Sequence, residues 1–371
     1  MSYLLRACRL PAGPCSNDNV FSYYCPSMKK DGRNVALVLA SGGSRGLAHI
    51  GAIEVLEENG FNITSISGCS MGALIGGLYA CDGLGSFKEW MQDIDKLKII
   101  SFMDLTLDKG GFVKGNKIIE ELKTIVPERN IEDLRIPFTA VATDILHRKE
   151  VVFSSGSLYR AIRSSISVPS LFTPNIVDGM VLIDGGVVNP TPIDRVKRNE
   201  GDLLVVVDLN GPYQAKEEEE SAVEIYFESI KDKIAGKIDD FTLRIRKSAG
   251  SVIKGAGELK SDVAQTRQEE AGASHLGADE KHSSVDAKLE EERDKERGVT
   301  RMGIVEILDS SSSLMLEMNA TRMIDLYKPE VLVRIPKNAY STLEFDKYHE
   351  IVALGREQMR QALVKAGYIE G

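Results

Sequence analysis

The sequence predicts a three-layer α/β/α fold built around a mostly parallel central sheet. Two observations carry that prediction. Short aliphatic and β-branched runs, of the kind buried on both faces of a sheet, alternate with amphipathic helical runs. The first of these strands also runs straight into a glycine-rich turn ahead of a helix, as crossover units do.

Each element can be justified in order. VALVLA (35–40) ends in Ser41-Gly42-Gly43 and reads as a buried strand. LAHIGAIEVLEENG (47–60) spaces Leu47, Ile50, Ile53, Val55 and Leu56 along one face and closes on Gly60, a helix with a C-terminal glycine. NITSISG (62–68) is a second strand, and MGALIGGLYA (71–80) a small-residue helix able to pack close to the sheet. A helix over 115–126, strands over 137–145 and 150–155, and a helix over 157–168 ended by Pro169 continue the pattern. Strands over 180–186 and 202–209 complete it.

The organisation follows from these elements. Residues 1–32 carry Pro11, Pro14 and Pro26 without periodicity and read as a flexible arm, with 33–213 as the core. Residues 214–302 open on the acidic run Glu217–Glu220 and hold few large apolar residues, so they read as a charged, partly disordered insertion. Within them, 222–238 is amphipathic: Ile225, Phe227, Ile230, Ile234 and Ile238 form a stripe for a lipid surface or for the chain's own core. A helix over 305–327, a strand over 331–336 and a helix over 345–367 are expected to fold back and complete the core.

Composition bounds the function. A net charge of −9 over 371 residues argues against a nucleic-acid partner, which needs clustered basic residues in excess. No apolar run approaches the length of a membrane span, and Arg6 and Arg9 break the N-terminal apolar stretch that a signal peptide would need. A cytoplasmic location is expected, with peripheral membrane contact left open and oligomeric state unaddressed. The five cysteines have no framework spacing, and Cys8, Cys15 and Cys25 lack an evident fourth ligand for zinc.

Three motifs carry chemistry. Ser41-Gly42-Gly43-Ser44-Arg45-Gly46 sits between a strand and a helix, where exposed amides can bind a phosphate or an oxyanion. A dinucleotide loop would need an acidic residue at the end of the next strand, and that strand ends instead in Gly68-Cys69-Ser70-Met71-Gly72. This pentapeptide is a G-x-S-x-G elbow with a strand before it and a helix after it. Asp184-Gly185-Gly186 closes the strand over 180–183. Its aspartate is either a base for the serine or an ordinary turn cap.

The run from ALVLASGGSRGLAHIGAIEVL through SGCSMGALIGGLYA to DGG resembles the patatin-like phospholipases over about Asn34 to Leu209. The resemblance implies Ser70 as nucleophile and Asp184 as base. It implies an oxyanion hole from the amides of Gly42, Gly43, Ser44 and Arg45, with Gly68 and Gly72 shaping the elbow. It also implies a lipid ester substrate, an acyl-enzyme, and no metal or cofactor. The chain departs from the family loop at Ser41, where a glycine is usual. The activity so implied is lipid acyl hydrolysis of the phospholipase A or lysophospholipase type; the alternative is an inactive lipid binder or scaffold with the same fold.

Other residues have blander readings. His49 lies one turn into the first helix and is expected to pack locally, and His349 lies on an amphipathic helix rather than the loop a triad would use. His147 follows a strand in a charged loop, and His275 and His282 fall in the insertion. Arg45 could hold a lipid phosphate or tie down its own loop. Asp144 is expected to brace the active-site face, Arg163 and Pro169 to be structural, and 161–174 to shape an acyl pocket.

Overall fold

The structure, a computed structural model, describes residues 33–92, 94, 98, 113–169, 171–213 and 304–371. The arm expected over 1–32 and the insertion expected over 214–302, with its amphipathic stretch, lie outside the described residues.

Eight strands form one mixed sheet: β1 (Asn34–Leu39), β2 (Asn62–Cys69), β3 (Phe138–Asp144), β4 (Lys149–Phe153), β5 (Asn175–Val177), β6 (Met180–Asp184), β7 (Leu203–Gly211) and β8 (Val331–Pro336). The order is β5-β6-β3-β2-β1-β7-β8, with β4 also on β3. The five strands from β3 to β8 are mutually parallel, whereas β4, β6 and β5 pair antiparallel. The helices are α1 (Ala48–Glu58), α2 (Met71–Ala80), α3 (Leu84–Gln92), α4 (Asn116–Ile125), α5 (Leu158–Ser165), α6 (Ile304–Tyr327) and α7 (Tyr348–Lys365).

Strand alternation sorts the core into two faces. Val35, Leu37 and Leu39 of β1, Val205, Val207 and Leu209 of β7, and Val331, Val333 and Ile335 of β8 all enter the larger cluster, with α1, α2, α5 and α7. Val38, Leu204 and Val206 point the other way, to a small cluster closed by Ile193 and by Ile324 of α6. Among the described residues the layers are therefore unequal: one face carries a thick helical layer and the other chiefly α6. β8 extends the sheet beside β7, and α7 lies along α1, where a side chain on Gly355 would run into the Ala48 carbonyl. α1 ends as its glycine requires: Gly60 has φ +72°, Phe61 N–H donates to the Leu56 carbonyl at 2.9 Å, and Gly60 N–H to that of Glu57 at 2.9 Å.

Two elements have no counterpart in the sequence expectations. α3 is a short amphipathic helix burying Leu84, Phe87 and Met91, and β5 is a three-residue edge strand. The first helical segment opens as a 3-10 turn, Gly43–Leu47, before α1 begins. The segment expected to be helical to residue 168 leaves the α-helix after Ser165. There the hydroxyls of Ser164 and Ser167 donate back to the carbonyls of Arg160 and Arg163, an alternative to continuing the helix.

One feature of the pairing positions the site. β3 pairs with β4 from Ala140 to Asp144, with β2 from Phe138 to Val141, and with β6 from Ala142 to Asp144. Because β4 takes one edge of β3 throughout, β2 and β6 must share the other edge, one above the other. They run in opposite directions and meet end to end: Cys69 is opposite Val141, and Asp184 is opposite Ala142.

Candidate active site

Adjacent rungs on β3 thus bring the ends of β2 and β6 together, with Ser70 leaving one and Asp184 closing the other. Ser70 sits at φ 55° and ψ −121°, a conformation that an L-residue adopts only under constraint. Close packing supplies the constraint: a side chain on Gly72 would strike the Leu39 carbonyl, and one on Gly68 the Gly72 carbonyl. Ser70 also caps α2, its carbonyl accepting from Ala73 N–H at 2.9 Å and Leu74 N–H at 3.1 Å. The positive end of the α2 dipole therefore lies at the serine and favours negative charge there.

Ser165 fixes the elbow from the side. Its hydroxyl oxygen accepts from Ser70 N–H at 2.8 Å, and the hydroxyl donates to the Val141 carbonyl at 2.6 Å. The same segment holds the aspartate: Asp184 N–H donates to the Ser167 carbonyl at 2.9 Å, while Thr143 Oγ1 donates to the Asp184 carbonyl at 2.9 Å. Arg163 in turn donates to Ser167 Oγ at 2.6 Å and to the carbonyls of Lys114 and Thr173. Residues expected only to shape a pocket brace the main chain of both chemical groups. Runs of serine at a helix end are common, so the sequence offered only the weak signal of Ser-Ser-x-Ser ahead of proline.

The two oxygens of Asp184 have different roles. Oδ1 accepts from Gly186 N–H at 2.7 Å and from the Cys69 thiol at 3.8 Å, so the turn-capping reading is correct for that oxygen. Oδ2 is buried without a hydrogen-bond partner among the described residues. Burial pushes the carboxyl from its ordinary 3.8 up to about 6, against opposing contributions from the Ser70 hydroxyl, Gly186 N–H and the Cys69 thiol. The Ser70 hydroxyl thus favours the carboxylate form, while no hydrogen bond reaches Oδ2 among the described residues. The thiol of Cys69 is itself raised well above its usual range, first by burial and then by Asp184, so it is a neutral donor.

The glycine-rich loop is tied at nearly every residue. His49 donates from Nε2 to the Ala40 carbonyl at 2.9 Å. Burial lowers that imidazole to about 4 and keeps it neutral, which fits local packing. Ser41 N–H donates to the Pro190 carbonyl at 2.8 Å, and Asn210 Nδ2 to that of Ser41 at 3.1 Å. Ser44 N–H donates to the Thr342 carbonyl at 2.9 Å. In a 3-10 turn beginning at Gly43, the amide of Arg45 turns back to the Gly42 carbonyl. Of the four candidate amides, those of Gly42 and Gly43 are left without a partner among the described residues.

The remaining candidate side chains make structural contacts. His147 pairs through Nδ1 with Asp144 Oδ2 at 2.6 Å, and Asp144 Oδ1 accepts from Leu146 N–H, closing the β3–β4 turn. His349 is exposed on α7, edge-on to Tyr348. Among the described residues no histidine bonds to Ser70 or Asp184, and none of the groups of His, Cys, Asp and Glu is arranged to hold a metal. No helix among them is long and apolar enough to cross a membrane. Arg45 is 5% exposed and donates from Nη1 to the Tyr340 carbonyl at 2.7 Å, so it ties down its own loop.

Comparison with known proteins points the same way as the motifs. A family model described as patatin-like phospholipase matches residues 37–197. An uncharacterized NTE family protein of Mycobacterium bovis is 33% identical over 329 residues, 89% of this chain and 91% of that protein. The lysophospholipase NTE1 of Cryptococcus neoformans is 34% identical over 184 residues, 48% of this chain but 11% of that protein. Patatin-like phospholipase domain-containing protein 7 of Rattus norvegicus is 32% identical over 185 residues, covering 48% of this chain and 14% of its own length.

Proposed function

This chain belongs to the patatin-like phospholipase family, and on that premise we propose that it is a serine lipid acyl hydrolase working through a Ser70–Asp184 dyad. One observation carries the reading. A serine held at φ 55° lies beside a buried carboxyl whose Oδ2 has no hydrogen-bond partner among the described residues and whose pKa is lifted to about 6. A residue that only packed would not repay strain costing about 1–3 kcal/mol.

The steps follow from the geometry. Asp184, ionised above about pH 6, takes the Ser70 proton as Oγ attacks the ester carbonyl. Charge develops on the carbonyl oxygen, where the amides of Gly42 and Gly43, without a partner among the described residues, would receive it. The α2 dipole adds to that stabilisation. Collapse breaks the ester bond, and Asp184 returns its proton to the departing alcohol, leaving Ser70 acylated. Water then attacks the acyl-enzyme, Asp184 removing its proton, and the fatty acid leaves as the proton returns to Ser70. Cys69 and Gly186 hold Oδ1 throughout, so Oδ2 alone exchanges the proton.

The lysophospholipase in the name of one relative supports a glycerophospholipid or its lysolipid as the substrate class. The direct test is incubation with a fluorophosphonate probe beside turnover of lysophosphatidylcholine. Labelling and hydrolysis that both vanish in Ser70→Ala support the proposal. Folded wild type that neither labels nor hydrolyses would favour a lipid-binding role instead.

A further inference from the structure

The loop that would carry the oxyanion is clamped from a distant part of the chain. The connection between β8 and α7 presents three consecutive main-chain carbonyls to it. Tyr340 accepts from Arg45 Nη1 at 2.7 Å, Ser341 from Ser44 Oγ at 2.5 Å, and Thr342 from Ser44 N–H at 2.9 Å. The contact is close as well as polar. Gly43 lies at φ +58°, and a Cβ there would sit 2.6 Å from Thr342 Cγ2 and 2.7 Å from the Thr342 carbonyl oxygen. The connection is itself held, since Ser341 N–H donates to Glu344 Oε2 at 2.7 Å and Ala339 N–H to the Pro336 carbonyl at 3.0 Å.

We propose that residues 340–342 form a working wall of the oxyanion hole, with Arg45 the positioning residue that clamps the loop against them. The inference rests on the hydrolase reading and deepens it. By taking up the Ser44 amide and pressing on Gly43, this strap selects which two amides face the reacting carbonyl and fixes where they stand. His49 and Pro190, inside the family match at 37–197, also hold the loop, whereas the strap and Asn210 are supplied by the chain beyond that match. Arg45 is also excluded as a surface ligand for a lipid phosphate, being 5% exposed with its Nη1 committed to Tyr340.

The test compares full-length Arg45→Met, Arg45→Lys and Ser44→Ala with wild type on two esters. One is neutral, 4-nitrophenyl butyrate, and one carries phosphate, lysophosphatidylcholine. Misplaced donors should cost Arg45→Met about 10–100-fold in kcat on both esters alike, with KM within about twofold because ground-state binding is untouched. A trifluoromethyl ketone that mimics the tetrahedral adduct should lose affinity in proportion to kcat/KM, whereas product fatty acid should not. Arg45→Lys, which keeps a donor, should recover part of the loss. A loss confined to lysophosphatidylcholine and seen as a raised KM would make Arg45 a headgroup ligand and overturn the proposal. So would unchanged kcat in both Arg45→Met and Ser44→Ala. Hydrogen exchange at residues 42–46 gives a readout independent of turnover. Faster exchange in folded Arg45→Met is expected, and unchanged exchange contradicts the clamp. A wild type inert to both esters and to fluorophosphonate would instead strike at the hydrolase reading itself.

Discussion

Replacing Asp184 by asparagine should make the protein more stable while removing its activity, and the pH dependence of that gain can be worked out. The carboxyl rises from 3.8 to about 6 on folding because it is buried. A raised carboxyl is the reverse of the usual salt-bridged case: the folded state holds the proton more tightly than the unfolded chain. Below pH 3.8 both states are protonated and the site costs nothing. Between 3.8 and about 6 the unfolded chain ionises first, so stability falls as pH rises; above about 6 the full penalty applies. Two pKa units correspond to about 3 kcal/mol. Asparagine carries no charge, can still accept from Gly186 N–H through its oxygen, and can donate to the Ser70 hydroxyl where Oδ2 stood unpaired. Thermal unfolding of wild type and Asp184→Asn should therefore differ by roughly 5 °C in favour of the variant at pH 8, and by little near pH 4. A difference equal at the two pH values, or a destabilised variant at pH 8, would refute the claim that this carboxylate is held ionised at a cost.

Three further outcomes follow from the same geometry. Ser70→Gly should be more stable than Ser70→Ala by about 1–2 kcal/mol, because glycine tolerates the φ of 55° and alanine does not; equal urea midpoints would remove the strain argument. Ser165→Ala should lower kcat by about tenfold or more with a smaller change in KM, since it removes the acceptor of the Ser70 amide and a donor to the Val141 carbonyl. Steady-state kinetics on a soluble ester would show it, and wild-type kcat would contradict the bracing role. Gly72→Ala should destabilise by about 3 kcal/mol or more, because its methyl would run into the Leu39 carbonyl; a wild-type melting temperature would show that the elbow can relax.

Much of this architecture is written locally in the chain. β1, β7 and β8 are visible because runs such as VALVL (35–39) are aliphatic and β-branched without a break, and a run of that kind is decided within a few residues. α1 is legible for the same reason, and Gly60 marks its end through a conformation only glycine takes easily. β5 carries no such pattern: Asn175–Val177 is a strand only because the β6 edge is there to pair with it. The site divides in the same way. Ser41–Gly46, Gly68–Gly72 and Asp184–Gly186 each announce themselves through glycines beside a chemical residue. What holds them does not. Ser165 reaches Ser70 across 95 residues, and Ser341 reaches Ser44 across 297. A common serine and three backbone carbonyls leave no trace in composition or periodicity. Nor could the sequence decide between base and cap for Asp184: Oδ1 caps the Gly186 N–H, while Oδ2 is left unbonded among the described residues.

The central claim is that one carboxylate deprotonates one strained serine, and the rate of covalent labelling against pH addresses it most directly. Fluorophosphonate inactivation of the wild type should rise about tenfold per pH unit on the acid side and level off above the Asp184 pKa of about 6, with the mass increment on the peptide bearing Ser70. In Asp184→Asn the rate should fall by about 10²–10⁴ and the inflection should vanish. An asparagine variant labelled at Ser70 as fast as wild type, with the same pH curve, would contradict the account.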